Sequence, residues 1–172
     1  MTRKGGWWGQ SAARKGAGMN MMRPIDGEPF RIETALLGRT RAHGIFQDRF
    51  GNVRARFIAE TDGYAESQDF ILDERFVYDD GRRERRIWRI STIGEDRYVG
   101  TADDIVGLAH GRIAPDHIEW RYAIDLPVSG RIWRMRFDDR FFRVGDLVIN
   151  RARMSKFGVL LGEATIAFAR HG

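Results

Sequence analysis

Three Asp-Asp pairs, Asp79-Asp80, Asp103-Asp104 and Asp138-Asp139, are the residues of this chain whose types first suggest acid–base chemistry. Adjacent residues on a strand point to opposite faces, so adjacency alone builds no carboxylate dyad. Asp79-Asp80 precedes Gly81 and has the composition of a turn, and turn or loop structure is also the simpler reading of Asp103-Asp104. Asp139 survives this sorting. It lies in "RFDDRFFRVGDLVINRAR" (136–153), where strand alternation puts it on the apolar face with Asn150 and Lys156. The same alternation sends Arg134, Arg136, Asp138, Arg140, Arg151 and Arg153 to a solvated face. A buried carboxylate without a partner costs several kcal/mol, so Asp139 has to be hydrogen-bonded, ion-paired or close to water in a cavity.

Turn chemistry sets which residues face one another. With residues 143–146 as a four-residue loop, Phe142 meets Leu147, and the series continues Phe141/Val148, Asp139/Asn150, Phe137/Ala152, Met135/Met154 and Trp133/Lys156. A slip of one residue would set Met135 against Arg153 and lose the apolar match. With Asp80-Gly81-Arg82 as a three-residue connection, Phe70, Leu72, Glu74, Phe76 and Tyr78 face Thr92, Ile90, Trp88, Arg86 and Glu84, so Glu74 and Arg86 are diagonal neighbours. With residues 127–130 as a four-residue turn, Ile118, Trp120, Tyr122, Ile124 and Leu126 oppose Asp139, Phe137, Met135, Trp133 and Arg131. One inner surface results. Trp88, Trp120, Tyr122, Trp133 and Phe137 line it, and Glu74, Arg86, Asp139, Asn150 and Lys156 are its polar groups.

The elements that must hold these residues are strands. From Phe30 onward, short runs rich in Val, Ile, Phe, Tyr and Trp are broken by Gly, Asp and Asn at the spacing of an all-β chain. The pattern predicts strands near 39–47, 53–61, 68–78, 84–92, 97–101, 106–113, 117–126, 132–142, 147–156 and 159–169, with a short helical turn in "PFRIETALLG" ended by Gly38. Consecutive hairpins with one apolar face need a second layer or closure on themselves, and about eight or more strands can close around side chains or one small ligand. The fold expected is therefore an antiparallel up-and-down β-barrel of lipocalin-like (calycin) type with 8–10 strands. Residues 30–172 form its single domain, preceded by a flexible basic leader over residues 1–29.

Composition narrows the function classes. The chain has 172 residues, 42% of them hydrophobic, which suffices for one core. It has no cysteine, which excludes disulfides, thiolate-bound zinc, thiol catalysis and a lipid-modified cysteine. The net charge of +5 is concentrated at one end: residues 1–22 hold Arg3, Lys4, Arg14 and Lys15 and no acid, leaving 25 basic and 24 acidic residues in the rest. Such balance does not ask for a nucleic-acid partner. No apolar run reaches the length of a secretory segment or a membrane helix. Trp7 and Trp8 beside basic residues make a weak membrane signal. A cytoplasmic monomer or homodimer is expected. The histidines stand at no metal spacing, and no phosphate-binding glycine loop or nucleophile elbow is present, so no cofactor or metal is assigned.

The stretches "GIFQDRFGNVRARF" (44–57), "FVYDDG" (76–81), "GTADDIVG" (100–107), "LPVSGRIWRMRFDDRFF" (126–142) and "VINRARMSKFGVLLGEATIAF" (148–168) together resemble a bacterial family, domain of unknown function family 3833. The resemblance implies a compact β-domain similar to the calycins, with no established activity. Some relatives resemble lipoproteins, but this chain lacks the cysteine and signal that would require. The family usually carries an aromatic where His43 stands here, a difference that would alter any pocket at that point. The residues and the resemblance together lead to a non-enzymatic protein that takes a small hydrophobic or aromatic molecule, with an anionic end as one form, into the barrel. The ligand-binding set is Glu74, Arg86, Trp88, Trp120, Tyr122, Trp133, Asp139, Asn150 and Lys156. The alternative is a small hydrolase or isomerase using Asp139 as acid or base, with Lys156 or Arg86 stabilising charge.

Overall fold

A computed structural model describes residues 30–128 and 130–170; the basic leader expected over residues 1–29 lies outside them. The described chain holds one short helix, α1 (Ile32–Ala35), followed by ten strands: β1 (Gly38–Asp48), β2 (Val53–Glu66), β3 (Asp69–Tyr78), β4 (Arg83–Ile93), β5 (Arg97–Thr101), β6 (Ala109–Ile113), β7 (Ile118–Val128), β8 (Arg131–Val144), β9 (Leu147–Lys156) and β10 (Val159–Arg170). Every strand pairs antiparallel with its sequence neighbour, and β1 pairs with β10, so the sheet is a closed, up-and-down, lipocalin-like barrel. Closure leaves no free edge in the ring.

Alternation is the cause. Along β1, Thr40 and Ala42 are buried while Arg39, Arg41 and His43 are not, and along β2 Phe57, Ala59 and Thr61 alternate with Arg56, Ile58 and Glu60 in the same way. The arginine-rich face is outside as expected: Arg134, Arg136, Arg151 and Arg153 are exposed. His43 is also exposed on the outer face, so the departure at this position does not reach the interior.

All three expected hairpin registers are off by two residues, which leaves every face unchanged because the side-chain period is two. In β8–β9 the loop is the pair Gly145-Asp146, and Val144 meets Leu147, which puts Phe141 opposite Asn150 and Asp139 opposite Ala152. Gly145 has φ +58, and the first place of a two-residue hairpin loop is where such a conformation is wanted. In β7–β8 Val128 pairs with Arg131, so Trp120 meets Asp139 and Tyr122 meets Phe137. In β3–β4 the loop is Asp79-Asp80-Gly81 rather than Asp80-Gly81-Arg82, with the Tyr78 N–H donating to the Arg82 carbonyl at 2.9 Å. Gly81 (φ +84) ends a type I turn in a left-handed conformation, and this brings Glu74 directly opposite Arg86 instead of diagonal to it.

One end of the barrel is stoppered. Phe30, Ile32 and Leu36 of the α1 segment are buried, Leu36 completely, in the cluster that contains Phe70, Ile90, Tyr98 and Phe168. The Tyr98 hydroxyl receives the Ile32 N–H at 3.4 Å and donates to Glu33 Oε2 at 2.7 Å, which ties the helix to β5. At the other end lie the loops after β1, β3, β5, β7 and β9. Between the two ends, Trp120 fills the space over two glycines: a Cβ on Gly100 or on Gly111 would lie 2.5 Å from its ring.

Candidate functional site

The barrel interior encloses a cavity of about 300 Å³. Its walls are largely aromatic. Trp88 meets Trp120 edge-on at 5.5 Å and Tyr122 at 5.3 Å, and Tyr122 stacks on Phe137 at 5.1 Å with the rings 2° from parallel. Phe57, Phe76 and Tyr78 form a second group towards the open end, with Phe57 5.7 Å from Phe76 and 5.5 Å from Tyr78. These rings are rigid and present flat apolar faces at little conformational cost.

Two buried polar groups interrupt the aromatic wall, and a third, more exposed pair on the lining joins Arg82 to Glu84, which also accepts from the Tyr78 hydroxyl. The first is built on β7, β8 and β9. Asp139 Oδ2 accepts hydrogen bonds from Asn150 Nδ2 at 3.2 Å and from the Tyr122 hydroxyl at 3.3 Å, and Asp139 and Asn150 are 3% and 4% exposed. Burial pushes the Asp139 carboxyl up to about 7, although the bonds from Asn150 and Tyr122 and the charge of Arg86 act the other way. Burial, followed by the charge of Asp139, also drives the Tyr122 hydroxyl well above its ordinary range. Asp139 Oδ1 and Asn150 Oδ1 are buried and meet no hydrogen-bond donor among the described residues.

The second polar group joins β3 and β4 to the loop after β5. Glu74 is buried and raised to about 7, first by burial, with the Arg86 charge and the Trp88 indole opposing. Arg86, its ladder partner, turns its fork to Asp104, with Nε at 3.1 and 3.0 Å from the two carboxylate oxygens and Nη2 at 2.7 Å from Oδ2. Arg86 is thereby neutralised at the wall rather than left as a free cation in the cavity.

Seven of the nine residues expected at the site line this one cavity: Glu74, Arg86, Trp88, Trp120, Tyr122, Asp139 and Asn150. Trp133 and Lys156 do not. They stand at the open rim, with the Lys156 ammonium 3.5 Å from the centre of the Trp133 ring and 5.1 Å from that of Phe157. Both have the inward parity, but β8 and β9 run beyond the cavity at that end, and parity alone carries no information on depth. Asp139 is held by Tyr122 from β7, a partner the two-residue register error had concealed, rather than by Lys156. Asp104 is the other residue missed. It lies in a loop, 18 positions from Arg86, in the Asp103-Asp104 pair that the sequence gives as turn or loop structure. Phe57, Phe76 and Phe141, also on the lining, follow from the same alternation that located Asp139. Among the described residues no cluster of three or more His, Asp or Glu side chains is arranged to hold a metal ion, and no helix is long and apolar enough to cross a membrane.

Among solved structures, the chain is similar to the S-type phycobiliprotein lyase CPES from Guillardia theta, with a TM-score of 0.60 at 9% identity over 81% of this chain and 90% of that one. It is also matched to a redesigned β-barrel, mFAP1, bound to DFHBI, with a TM-score of 0.42 at 10% identity over 82% of this chain and 100% of that one. At such identities the likeness is one of fold. No curated protein matches the sequence. A family model covers residues 22–170, and the chain belongs to that family, described as "Protein of unknown function (DUF3833)".

Proposed function

We propose that this protein binds a small apolar or aromatic molecule inside the barrel. The observation that carries the reading is the interior itself: a cavity of about 300 Å³ walled by Trp88 of β4, Trp120 and Tyr122 of β7 and Phe137 of β8, into which the buried polar side chains Glu74, Asp139 and Asn150 converge from β3, β8 and β9. Its volume lies at the lower end of the range of about 300–1,000 Å³ typical of small-molecule sites. A barrel that served only as a structural body would gain from filling this space, because unfilled volume costs stability. The shared fold with a lyase supplies no function by itself, so the reading rests on the site.

Native mass spectrometry of gently purified protein, together with Trp emission on titration with fatty acids, substituted naphthalenes and tetrapyrroles, tests it. A retained small molecule, or a saturable change in emission that is lost when Ala152→Phe fills the cavity, is the expected result. A bare mass together with unchanged emission across the whole set overturns the reading.

A further inference from the structure

The interior has more hydrogen-bond acceptors than donors, and this imbalance specifies the polar end of the molecule it takes. The argument rests on the reading above, that the cavity is a ligand site. On the β7–β9 side, the Tyr122 hydroxyl proton and the Asn150 amide both go to Asp139 Oδ2. Asp139 Oδ1 and Asn150 Oδ1 are left, on residues 3% and 4% exposed, with no donor among the described residues. Both residues line the same cavity. On the opposite side stands Glu74, another acid. Two guanidiniums line the wall, and both are taken by carboxylates: Arg86 gives its fork to Asp104, and the more exposed Arg82 donates to Glu84 Oε1 at 2.6 Å. A carboxylate or carbonyl head beside Asp139 would therefore add acceptors to acceptors, and to reach a cation it would have to displace Asp104 from Arg86 or Glu84 from Arg82. A donor head satisfies two oxygens that otherwise bear the full cost of burial without a partner.

We propose that the molecule bound in this cavity is apolar or aromatic with a hydrogen-bond-donating end, a hydroxyl, amine or amidine, received by Asp139 Oδ1 and Asn150 Oδ1. On this reading the polar end is a donor, in place of the anionic end considered from the sequence. Of the donor heads an amidinium is the strongest, because it offers two N–H groups and a charge opposite to that of a carboxylate.

Four probes on one ring system separate the possibilities by calorimetric titration of the full chain at about pH 8.5, above the raised value near 7 so that Asp139 is an accepting carboxylate: 2-naphthamidine, 2-naphthol, 2-naphthoate and 2-ethylnaphthalene. The amidine or the naphthol is expected to bind at least tenfold more tightly than naphthoate and ethylnaphthalene; which of the two is tighter tells a cationic from a neutral donor. In Asn150→Ala and Asp139→Asn, each checked for fold by circular dichroism, that advantage is expected to shrink about tenfold while ethylnaphthalene changes less than twofold. Naphthoate binding as tightly as the donors, or both variants keeping the donor preference, overturns the inference. Ethylnaphthalene binding alone, or with naphthoate, overturns it too but leaves the cavity reading intact. Binding of none of the four overturns the inference, and the cavity reading falls as well when the broader titration and the native mass are also blank.

Discussion

Asp139 and Glu74 face the same cavity from opposite walls, and burial, the largest influence on each, lifts both carboxyls to about 7. The groups that face them are Tyr122 on β7, Asn150 on β9, Arg86 on β4 and Asp104 in the loop after β5. A carboxyl that holds its proton more tightly folded than unfolded stabilises the fold at low pH. That stability is lost as pH rises from about 4, the ordinary carboxyl range, through the folded value near 7, and the curve is flat above it. The slope is at most about 1.4 kcal/mol per pH unit for each group. Acids moved the opposite way act in another window. Asp48 is raised by desolvation but carried down to about 2 by hydrogen bonds from Asn52, Arg54 and Phe50, and Asp69, Asp73, Glu119 and Asp125 are also lowered. These lose stability only as pH falls below about 4. The urea midpoint is therefore expected to be higher at pH 5 than at pH 8, and Asp139→Asn is expected to narrow that difference. A midpoint that climbs from pH 5 to pH 8 would show that these carboxyls are hydrated. The pair Asp139 and Asn150 was legible in the sequence because a carboxylate on the apolar side of a strand is conspicuous. The Asp104 that occupies Arg86 was not, since loop residues have no parity to read.

Among the elements, faces could be read from the sequence and registers could not, for one reason: alternation repeats every two residues and turns decide where counting begins. Loops of four residues were expected where Gly145-Asp146 and the turn between Val128 and Arg131 each need two, so Asn150 and Tyr122 sit one pair further along than anticipated. The glycines of β5 and β6 were the unread signal. Gly100 and Gly111 stand where Trp120 lies flat against the backbone, and an added methyl at either would sit 2.5 Å from the ring. Gly100→Ala and Gly111→Ala are each expected to cost roughly 1–3 kcal/mol in urea titrations, as overpacking does, and to shift Trp emission. Either variant matching the parent in stability would mean that Trp120 moves freely. At the β9–β10 turn the expected sign is reversed. Phe157 has φ +51 and is 92% exposed, followed by Gly158 at φ +79, a two-residue loop in which Asn-Gly is the preferred pair. Phe157→Asn is expected to stabilise the protein by roughly 1 kcal/mol, the lower end of the cost of a left-handed non-glycine residue. A lower urea midpoint in that variant would indicate that Phe157 makes a contact worth more than its strain.

At the scale of the whole molecule, the barrel depends on one long-range seam. β10 runs between β9 and β1, pairing with β1 from Thr40↔Arg170 to Asp48↔Gly162, residues that are far apart in the chain. Such closure cannot be read from any local stretch; it was inferred because ten short strands with one apolar face have nowhere else to put their edges. The surface charges are arranged over the same ring. Arg134 pairs with Asp125, Arg121 with Asp138 and Arg151 with Glu163, so much of the arginine content is spent on exposed cross-strand pairs, each worth about 0–1 kcal/mol. Stability must then come from the closed core, and the two ends of the chain should respond very differently to removal. Deleting residues 1–21, which carry four basic residues and no acid, is expected to move the melting temperature by less than a few degrees, since about 1 kcal/mol corresponds to roughly 2–4 °C in a chain of this size. Deleting residues 159–172 removes β10, strips Phe168 and Ile166 from the core and lays open both β1 and β9. The shortened chain is expected to lose cooperative unfolding and to elute as aggregate in size-exclusion chromatography, because two unpaired edges invite association. If it instead gave a monomer with a sharp melting transition, the seam between β1 and β10 would not be what holds the barrel shut, and an open sheet would have to account for the cavity.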